Sequence, residues 1–101
     1  MVSKSRVINW TNLARERRTS IFIYWNKRNK SLTYSKKLNS LFTESLNRVL
    51  SNPEASIKTS GENIRAVLVR DYYLIFEITE FTIKVLDIWD TRQNPQNFPI
   101  K

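Results

Sequence analysis

Three short β-strands in series are predicted over residues 63–95, and they constrain the fold more than any other part of the chain. Apolar side chains alternate along each run, as expected for strands. An arginine lies inside the first run, Arg65, and another lies just beyond the last, Arg92. Both alternating sets are partly apolar, so we expect helices on one face and a second covered or partner-binding surface on the other. The function then depends on what the two arginines can reach.

A helical hairpin is predicted ahead of these strands. Val7–Trp10 has the composition of a short first strand. Apolar residues at helical spacing predict a first helix over residues 13–27, with Asn12 as its cap. A second, clearly amphipathic helix begins at Ser31 or Thr33 and ends near residue 52, because Pro53 disfavours helical geometry in the residue before it. Two helices with so short a connection should pack antiparallel.

The predicted architecture is therefore β-α-α-β-β-β, an α+β fold. The helical hairpin packs on one face of a small antiparallel sheet, and residues 54–62 form a loop. A chain of 101 residues suffices for one core, and we expect a single domain over residues 1–101.

Composition excludes several classes of function. The single glycine excludes glycine-rich phosphate loops, which need several. Without cysteine or histidine, the chain has no zinc finger, iron–sulfur site, thiol nucleophile or serine–histidine triad. We expect no cofactor and no metal. The longest apolar run, residues 21–25, is too short to cross a bilayer, and we expect a cytoplasmic protein with no membrane partner.

The net charge of +8 is unevenly distributed. Residues 1–40 hold ten Lys or Arg and one acid, whereas residues 41–101 hold seven basic and eight acidic residues. This asymmetry indicates a polyanionic partner, either nucleic acid or an acidic protein segment. The alternative is a solvated helix face whose charge only keeps the protein soluble.

The order and spacing of these elements resemble the RelE/ParE superfamily of toxins from bacterial type II toxin–antitoxin modules. The resemblance runs from about Ile8 to Pro95, and its pieces are specific only together. They are Ile21-Phe-Ile-Tyr-Trp-Asn-Lys-Arg-Asn29, Thr33-Tyr-Ser-Lys-Lys-Leu38, Leu50-Ser-Asn-Pro53, Asn63-Ile-Arg65 and Leu86-Asp-Ile-Trp-Asp-Thr-Arg-Gln-Asn-Pro95. The long hairpin closed by Asn-Pro resembles the ParE branch more than the RelE branch.

The resemblance implies a toxin that inhibits growth, can stabilise a plasmid, and is neutralised by a cognate antitoxin encoded beside it. The family's antitoxins wrap the toxin with a C-terminal segment that is often acidic, which fits the charge asymmetry. The expected assembly is either a homodimer or a toxin–antitoxin hetero-oligomer. The predicted antitoxin contacts are basic residues of the first helix: Arg15, Arg18, Lys27 and Arg28. Arg18 lies within the apolar stripe, so it either extends along the core edge or marks a docking position.

Two hypotheses for the mechanism follow from the resemblance, and a third stands apart from it. A ParE-like toxin would inhibit DNA gyrase by binding it without hydrolysis, with Arg65, Trp89 and Arg92 as target contacts. A RelE-like toxin would cleave ribosome-bound mRNA, with Arg65 and Arg92 clamping the phosphate. The third hypothesis is a basic binding module without toxicity, whose arginines pair with Glu77, Asp87 or Asp90.

The nuclease hypothesis lacks an obvious general base. RelE-like nucleases often carry a tyrosine or histidine after the last strand, and residues 93–101 contain neither. Tyr73, with Tyr72 and Glu77 as alternatives, substitutes only if the sheet aims it at the arginines. Aromatic residues beside cations can stack on bases, but in a half-buried strand they usually pack. These considerations favour the non-hydrolytic toxin.

Overall fold

The computed structural model describes residues 6–93, which form two helices and a five-stranded sheet. The chain order confirms the predicted α+β architecture, with one further strand in the expected loop. The segments Met1–Ser5 and Asn94–Lys101 lie outside the described residues, and with them the end of the Leu86–Pro95 piece. The elements are β1 (Val7–Trp10), α1 (Asn12–Asn29), α2 (Thr33–Ser51), β2 (Ile57–Lys58), β3 (Ile64–Val69), β4 (Tyr72–Ile78) and β5 (Thr82–Asp90), with one 3₁₀ turn at Pro53–Ala55.

The sheet is mixed, whereas the sequence predicts an antiparallel one. Its strand order is β1-β5-β4-β3-β2, and β3, β4 and β5 form the expected antiparallel meander. β1 lies parallel to β5 and pairs with it from Val7 opposite Thr82 to Trp10 opposite Val85. A parallel pair needs a long crossover connection, which the helical hairpin and the meander together supply. β2 is a two-residue edge strand on β3, too short to leave a sequence pattern.

α2 contributes more buried side chains to the core than α1 does. Its buried side chains recur every three or four residues and pack against the sheet. They are Ser35, Leu38, Phe42, Ser45, Leu46 and Val49. The helix ends at Ser51, as predicted from Pro53, and the Asn52 side chain accepts a hydrogen bond from the Glu54 N–H in the following turn.

α1 begins with a cap at Thr11, one residue before the Asn12 predicted from sequence. The Thr11 hydroxyl accepts a hydrogen bond from the Ala14 N–H at 3.2 Å and lies 2.9 Å from the carbonyl oxygen of Val85. It can donate to that oxygen while it accepts from the helix. Asn12 makes no such contact because it already lies inside the helix. Thr11 thus joins the start of α1 to the middle of β5.

The two helices cover one face of the sheet. Core side chains from β3, β4 and β5 on that face include Val69, Leu74 and Val85. On the opposite face Ala66 and Ile75 are buried, whereas Leu68 on β3 and Ile57 on β2 are about half exposed. Among residues 6–93, neither helix combines the length and apolar composition needed to cross a bilayer.

Candidate functional site

A cleft forms where β1 stops pairing with β5. The pairing ends at Val85, and beyond it α1 lies along the edge of β5. The gap between the helix and the strand is a cavity of about 220 Å³, which we call the α1–β5 cleft. Its lining residues are Arg17, Ser20, Ile21 and Tyr24 from α1, Tyr72 from β4, and Asp87, Ile88, Trp89, Asp90, Arg92 and Gln93 from the end of β5.

Two arginine–aspartate pairs lie along this cleft. Arg17 on α1 donates from Nε to Oδ1 of Asp87 at 3.1 Å, and the same oxygen accepts from the Ile88 N–H at 2.7 Å. Arg92 makes a bidentate contact with Asp90, from Nε to Oδ1 at 3.0 Å and from Nη2 to Oδ2 at 2.7 Å. The side chains of Arg17 and Arg92 remain 54% and 47% exposed, so both arginines can still meet another molecule.

The Asp90–Arg92 pair perturbs both of its members. The hydrogen bond from the Arg92 guanidinium holds the pKa of Asp90 below its usual range, against a smaller opposing effect of burial. The same bond raises the pKa of Arg92, which is therefore charged at any physiological pH. A second bond to Oδ1, from the Arg92 N–H at 2.9 Å, closes a turn just after the last strand.

An aromatic cluster forms the inner wall of the cleft. Trp25 donates from its indole N–H to the Tyr72 hydroxyl at 2.7 Å, and its ring meets Tyr24 and Tyr34 edge to face. Cζ of Arg92 lies 5.6 Å from the Trp25 ring centroid and 5.9 Å from that of Tyr24. These distances lie at the outer limit of a cation–π contact. Arg92 is thus held by a carboxylate and flanked by two aromatic rings.

Arg65 occupies a different environment. Its Nε donates to the Ser56 hydroxyl at 2.6 Å and its Nη2 to the Ser56 carbonyl oxygen at 2.7 Å. The side chain is half-buried and lines a separate cavity of about 570 Å³, formed with Arg6, Lys58 and the loop 59–63. Arg65 therefore bonds to Ser56, which follows the 3₁₀ turn, and not to an acid on an adjacent strand.

The structure does not bring Arg65 and Arg92 to one point. Arg65 on β3 pairs with Phe76 on β4, whereas Asp90, the partner of Arg92, pairs with Tyr72 four residues away on β4. Four residues along the strand and two strand spacings correspond to about 16 Å between the Cα atoms of Arg65 and Asp90. Each guanidinium is bound locally and lines its own cavity. One phosphate therefore does not contact both arginines in this arrangement.

The candidate tyrosines lie on opposite faces of the sheet. Tyr73 pairs with Leu68 and Trp89 on the face away from the helices, whereas Arg65 pairs with Phe76 on the helix face. Tyr72 is the tyrosine that lines the cleft beside Arg92. Burial raises the pKa of Tyr72, with smaller opposing effects from the Trp25 hydrogen bond and Arg92. A phenol with a raised pKa is a poor general base at neutral pH.

The predicted antitoxin contacts are spread around α1. Arg15, Lys27 and Arg28 are exposed, whereas Arg18 is partly buried with its Cζ 4.3 Å above the Trp10 ring. Burial lowers the pKa of Arg18, and Arg15 adds to that shift. At about 100° per residue, Arg15 and Arg18 share one side of α1 and Lys27 lies opposite Arg18. These four residues therefore do not form a single basic face.

Sequence reasoning missed the helical wall of the cleft. Arg17, Ser20, Ile21 and Tyr24 follow the spacing i, i+3, i+4, i+7, which marks one side of a helix. That stripe mixes charged, small and aromatic residues, so it gives no clear amphipathic signal. Among residues 6–93 no group of three or more acids could hold a metal ion.

The fold is known from other solved structures. It is similar to a solved structure described as the chromosomal ParDE TA system from P. aeruginosa, with a TM-score of 0.70 and 13% sequence identity over 87% of this chain and 98% of that chain. A solved structure of YafQ from E. coli strain BL21(DE3) also matches, with a TM-score of 0.49 and 17% identity over 84% and 92% of the two chains. No curated protein sequence matches the chain.

The family model of the ParE toxin of the type II toxin–antitoxin system parDE matches residues 8–95. The chain therefore belongs to the ParE toxin family. This confirms the superfamily and the branch predicted from the sequence.

Proposed function

We propose that this toxin inhibits DNA gyrase by binding it, without hydrolysis, and that a cognate antitoxin neutralises it. The observation that carries the proposal is the separation of Arg65 and Arg92 into two cavities. The Cα atom of Arg65 lies about 16 Å from that of Asp90, the partner of Arg92. Two cations so far apart are poorly placed to hold one phosphate. They are well placed to contact a protein surface, because a standard interface spans about 800 Å² per partner.

The chemistry of the cleft also supports binding over cleavage. Cleavage by a 2′-hydroxyl needs a base near the phosphate and an acid for the leaving oxygen. Beside Arg92 the titratable oxygens belong to Asp90, which is held by Arg92 itself, and to two tyrosines. Tyr72 accepts a hydrogen bond from Trp25, and the Tyr24 ring lies 5.9 Å from Cζ of Arg92. The chain has no histidine, and residues 94–101 contain no tyrosine that would supply the missing group.

The proposed target contacts are Arg65, Trp89 and Arg92. Trp89 and Arg92 line the α1–β5 cleft together, and Arg65 adds a second cationic contact beyond it. The proposed antitoxin contacts are four cations of α1: Arg15, Arg18, Lys27 and Arg28. Arg15 and Arg18 share one side of the helix, and Lys27 lies opposite Arg18. An acidic antitoxin segment that wraps α1 would meet both sets.

Two assays run side by side with the purified toxin test the proposal. We expect inhibition of gyrase supercoiling and no cleavage of ribosome-bound transcript. Arg92→Ala, alone or with Arg65→Ala, should relieve inhibition by about tenfold or more while the protein still folds and binds its antitoxin. Arg48→Ala on the exposed side of α2 is the matched control and should inhibit like the wild type.

The outcomes separate the candidate functions. Transcript cleavage without gyrase inhibition would identify a nuclease and refute the proposal. Activity in neither assay would refute gyrase as the target and would mean that the toxin has another target or is inactive. Full inhibition by the double arginine variant would show that gyrase binding uses a different surface.

A further inference from the structure

Asp90 contacts Arg92 at three points, although the two residues are only two positions apart in the chain. Oδ1 accepts from both the Arg92 backbone N–H and Nε, and Oδ2 accepts from Nη2. The backbone contact fixes the turn after β5, and the two side-chain contacts fix the plane of the guanidinium. Tyr24 and Trp25 flank the same group at 5.9 and 5.6 Å. Arg92 is therefore held in one orientation before any partner arrives.

The bidentate contact with Asp90 leaves the other edge of the Arg92 guanidinium without a contact to that carboxylate. A guanidinium carries five N–H donors in a rigid plane, and Asp90 takes the pair on the Nε–Nη2 edge. The remaining three donors are on Nη1 and the far side of Nη2, and they point away from Asp90. This second edge has the geometry that binds the two oxygens of a carboxylate or phosphate. Arg92 remains 47% exposed, so an external group can approach it.

The other ion pair of the cleft lacks this organisation. Arg17 contacts Asp87 through Nε alone, and the Asp87 oxygen is shared with a backbone N–H of its own strand. A single contact at 3.1 Å leaves the Arg17 guanidinium able to rotate. Two arginines in one cleft thus differ in how firmly they are oriented.

We propose that Asp90 is a positioning residue for the target contact of Arg92, fixing the guanidinium so that its Nη1–Nη2 edge meets a carboxylate or phosphate of the target. This inference rests on the proposed function, because it assumes that Arg92 contacts the target. A long side chain that is already ordered loses less conformational entropy on binding. The negative charge of Asp90 partly offsets the positive charge of Arg92. The expected gain in target affinity therefore comes from the orientation of Arg92 and not from long-range attraction.

The test compares Asp90→Asn with the wild type in gyrase inhibition. Asparagine keeps an oxygen for the Arg92 N–H, and hence the turn, but removes the charged two-oxygen partner. We expect the inhibitory concentration to rise by about fivefold. Asp71→Asn is the matched control, because it removes an exposed carboxylate from the neighbouring β3–β4 turn without touching the cleft, and it should stay within about twofold.

A second background distinguishes positioning from a general structural effect. Lysine carries its donors on a single nitrogen that can rotate, so Arg92→Lys should lose the fixed orientation that Asp90 provides. We expect Asp90→Asn to cost less than about twofold when it is added to Arg92→Lys. An equal cost in both backgrounds would show that Asp90 acts through the fold and not through Arg92. Inhibition by Asp90→Asn equal to or stronger than that of the wild type would also overturn the inference.

A measurement on the toxin alone separates this inference from the proposed function. The Arg92 Nε–H should give a slowly exchanging NMR signal in the wild type and a weakened one in Asp90→Asn. An unchanged signal would mean that Asp90 does not orient the side chain. If the wild type arrests growth without inhibiting gyrase, the proposed target is wrong. The same variants then test the positioning role of Asp90 through their effect on growth arrest. Inactivity in both assays would refute the target contact itself.

Discussion

The two helices of this toxin have the same length within one residue but different roles. α2 buries six side chains in a continuous stripe, whereas Ala14 alone is fully buried on α1. α1 instead carries five basic residues and one acid, and several half-buried aromatic residues. α2 holds the core together, and α1 forms the wall of the cleft and the more basic surface.

This difference shows where the functional surface lies. The apolar residues of α2 are buried in the core, so few of them remain available to contact a partner. On α1 the aromatic residues are only partly covered, and Tyr24 remains 46% exposed beside Arg92. Partial burial leaves apolar area that an incoming protein can still cover. The comparison therefore predicts that changes in α2 affect stability and changes in α1 affect binding.

The largest effect should come from one substitution made in both helices. Leu38 on α2 is fully buried, and Leu13 on α1 is 46% exposed. We expect Leu38→Ala to lower the free energy of unfolding by about 2–5 kcal/mol, because it leaves a cavity in the core. Leu13→Ala should cost less than about 1 kcal/mol. Urea denaturation of both variants measures the difference, and similar costs would refute the division of roles.

The same contrast explains what the sequence could predict. α2 was predictable because its apolar residues recur at helical spacing and Pro53 marks its end. The meander was predictable from alternation along β3, β4 and β5. The parallel pairing of β1 with β5 was not, because four residues carry no information on strand direction. The cleft depends on that pairing, since it opens where β1 leaves β5 after Val85.

The contacts of the site residues were also not predictable from the sequence. Arg65 and Arg92 stand out in the sequence, but their partners, Ser56 and Asp90, depend on the 3₁₀ turn and on the turn after β5. The spacing Asp90-Thr91-Arg92 at a strand end permits the bidentate pair without requiring it. That Tyr72, and not Tyr73, meets Arg92 follows from the register of β4 with β5.

A smaller effect is expected at the junction between α1 and the sheet. Thr11→Ala removes the cap of α1 and the contact of its hydroxyl with Val85. We expect a loss of about 0.5–2 kcal/mol in the free energy of unfolding. Thr43→Ala on the exposed side of α2 removes a hydroxyl that bonds only to Asn39 in its own helix and should change little. Equal losses would mean that Thr11 does not join α1 to β5.

Antitoxin binding should depend more on the charges of α1 than on those of α2. Arg15→Ala with Arg18→Ala should weaken binding by about threefold to tenfold at about 0.05 M salt, and by less at about 0.5 M, because ions screen the attraction. Lys36→Ala with Lys37→Ala on α2 is the control for removing two cations. Titration calorimetry at both salt concentrations measures the affinities. An affinity that ignores salt would indicate a mainly apolar contact, and equal effects from both pairs would remove the distinction between the helices.

The smallest effect concerns the pH dependence of stability. Arg92 lowers the pKa of Asp90 in the folded protein, so ionised Asp90 stabilises the fold above about pH 3.9, its usual value in an unfolded chain. That contribution is lost as the pH falls through the folded pKa. The pair is partly exposed and screened by water, so we expect a few tenths of a kcal/mol between the wild type and Asp90→Asn at neutral pH. Urea denaturation from about pH 7 to about pH 2 should show this gap closing at the acidic end. A gap that stays constant would mean that ionised Asp90 does not stabilise the fold through Arg92. That result would count against the ion pair and against the orientation of Arg92 that depends on it.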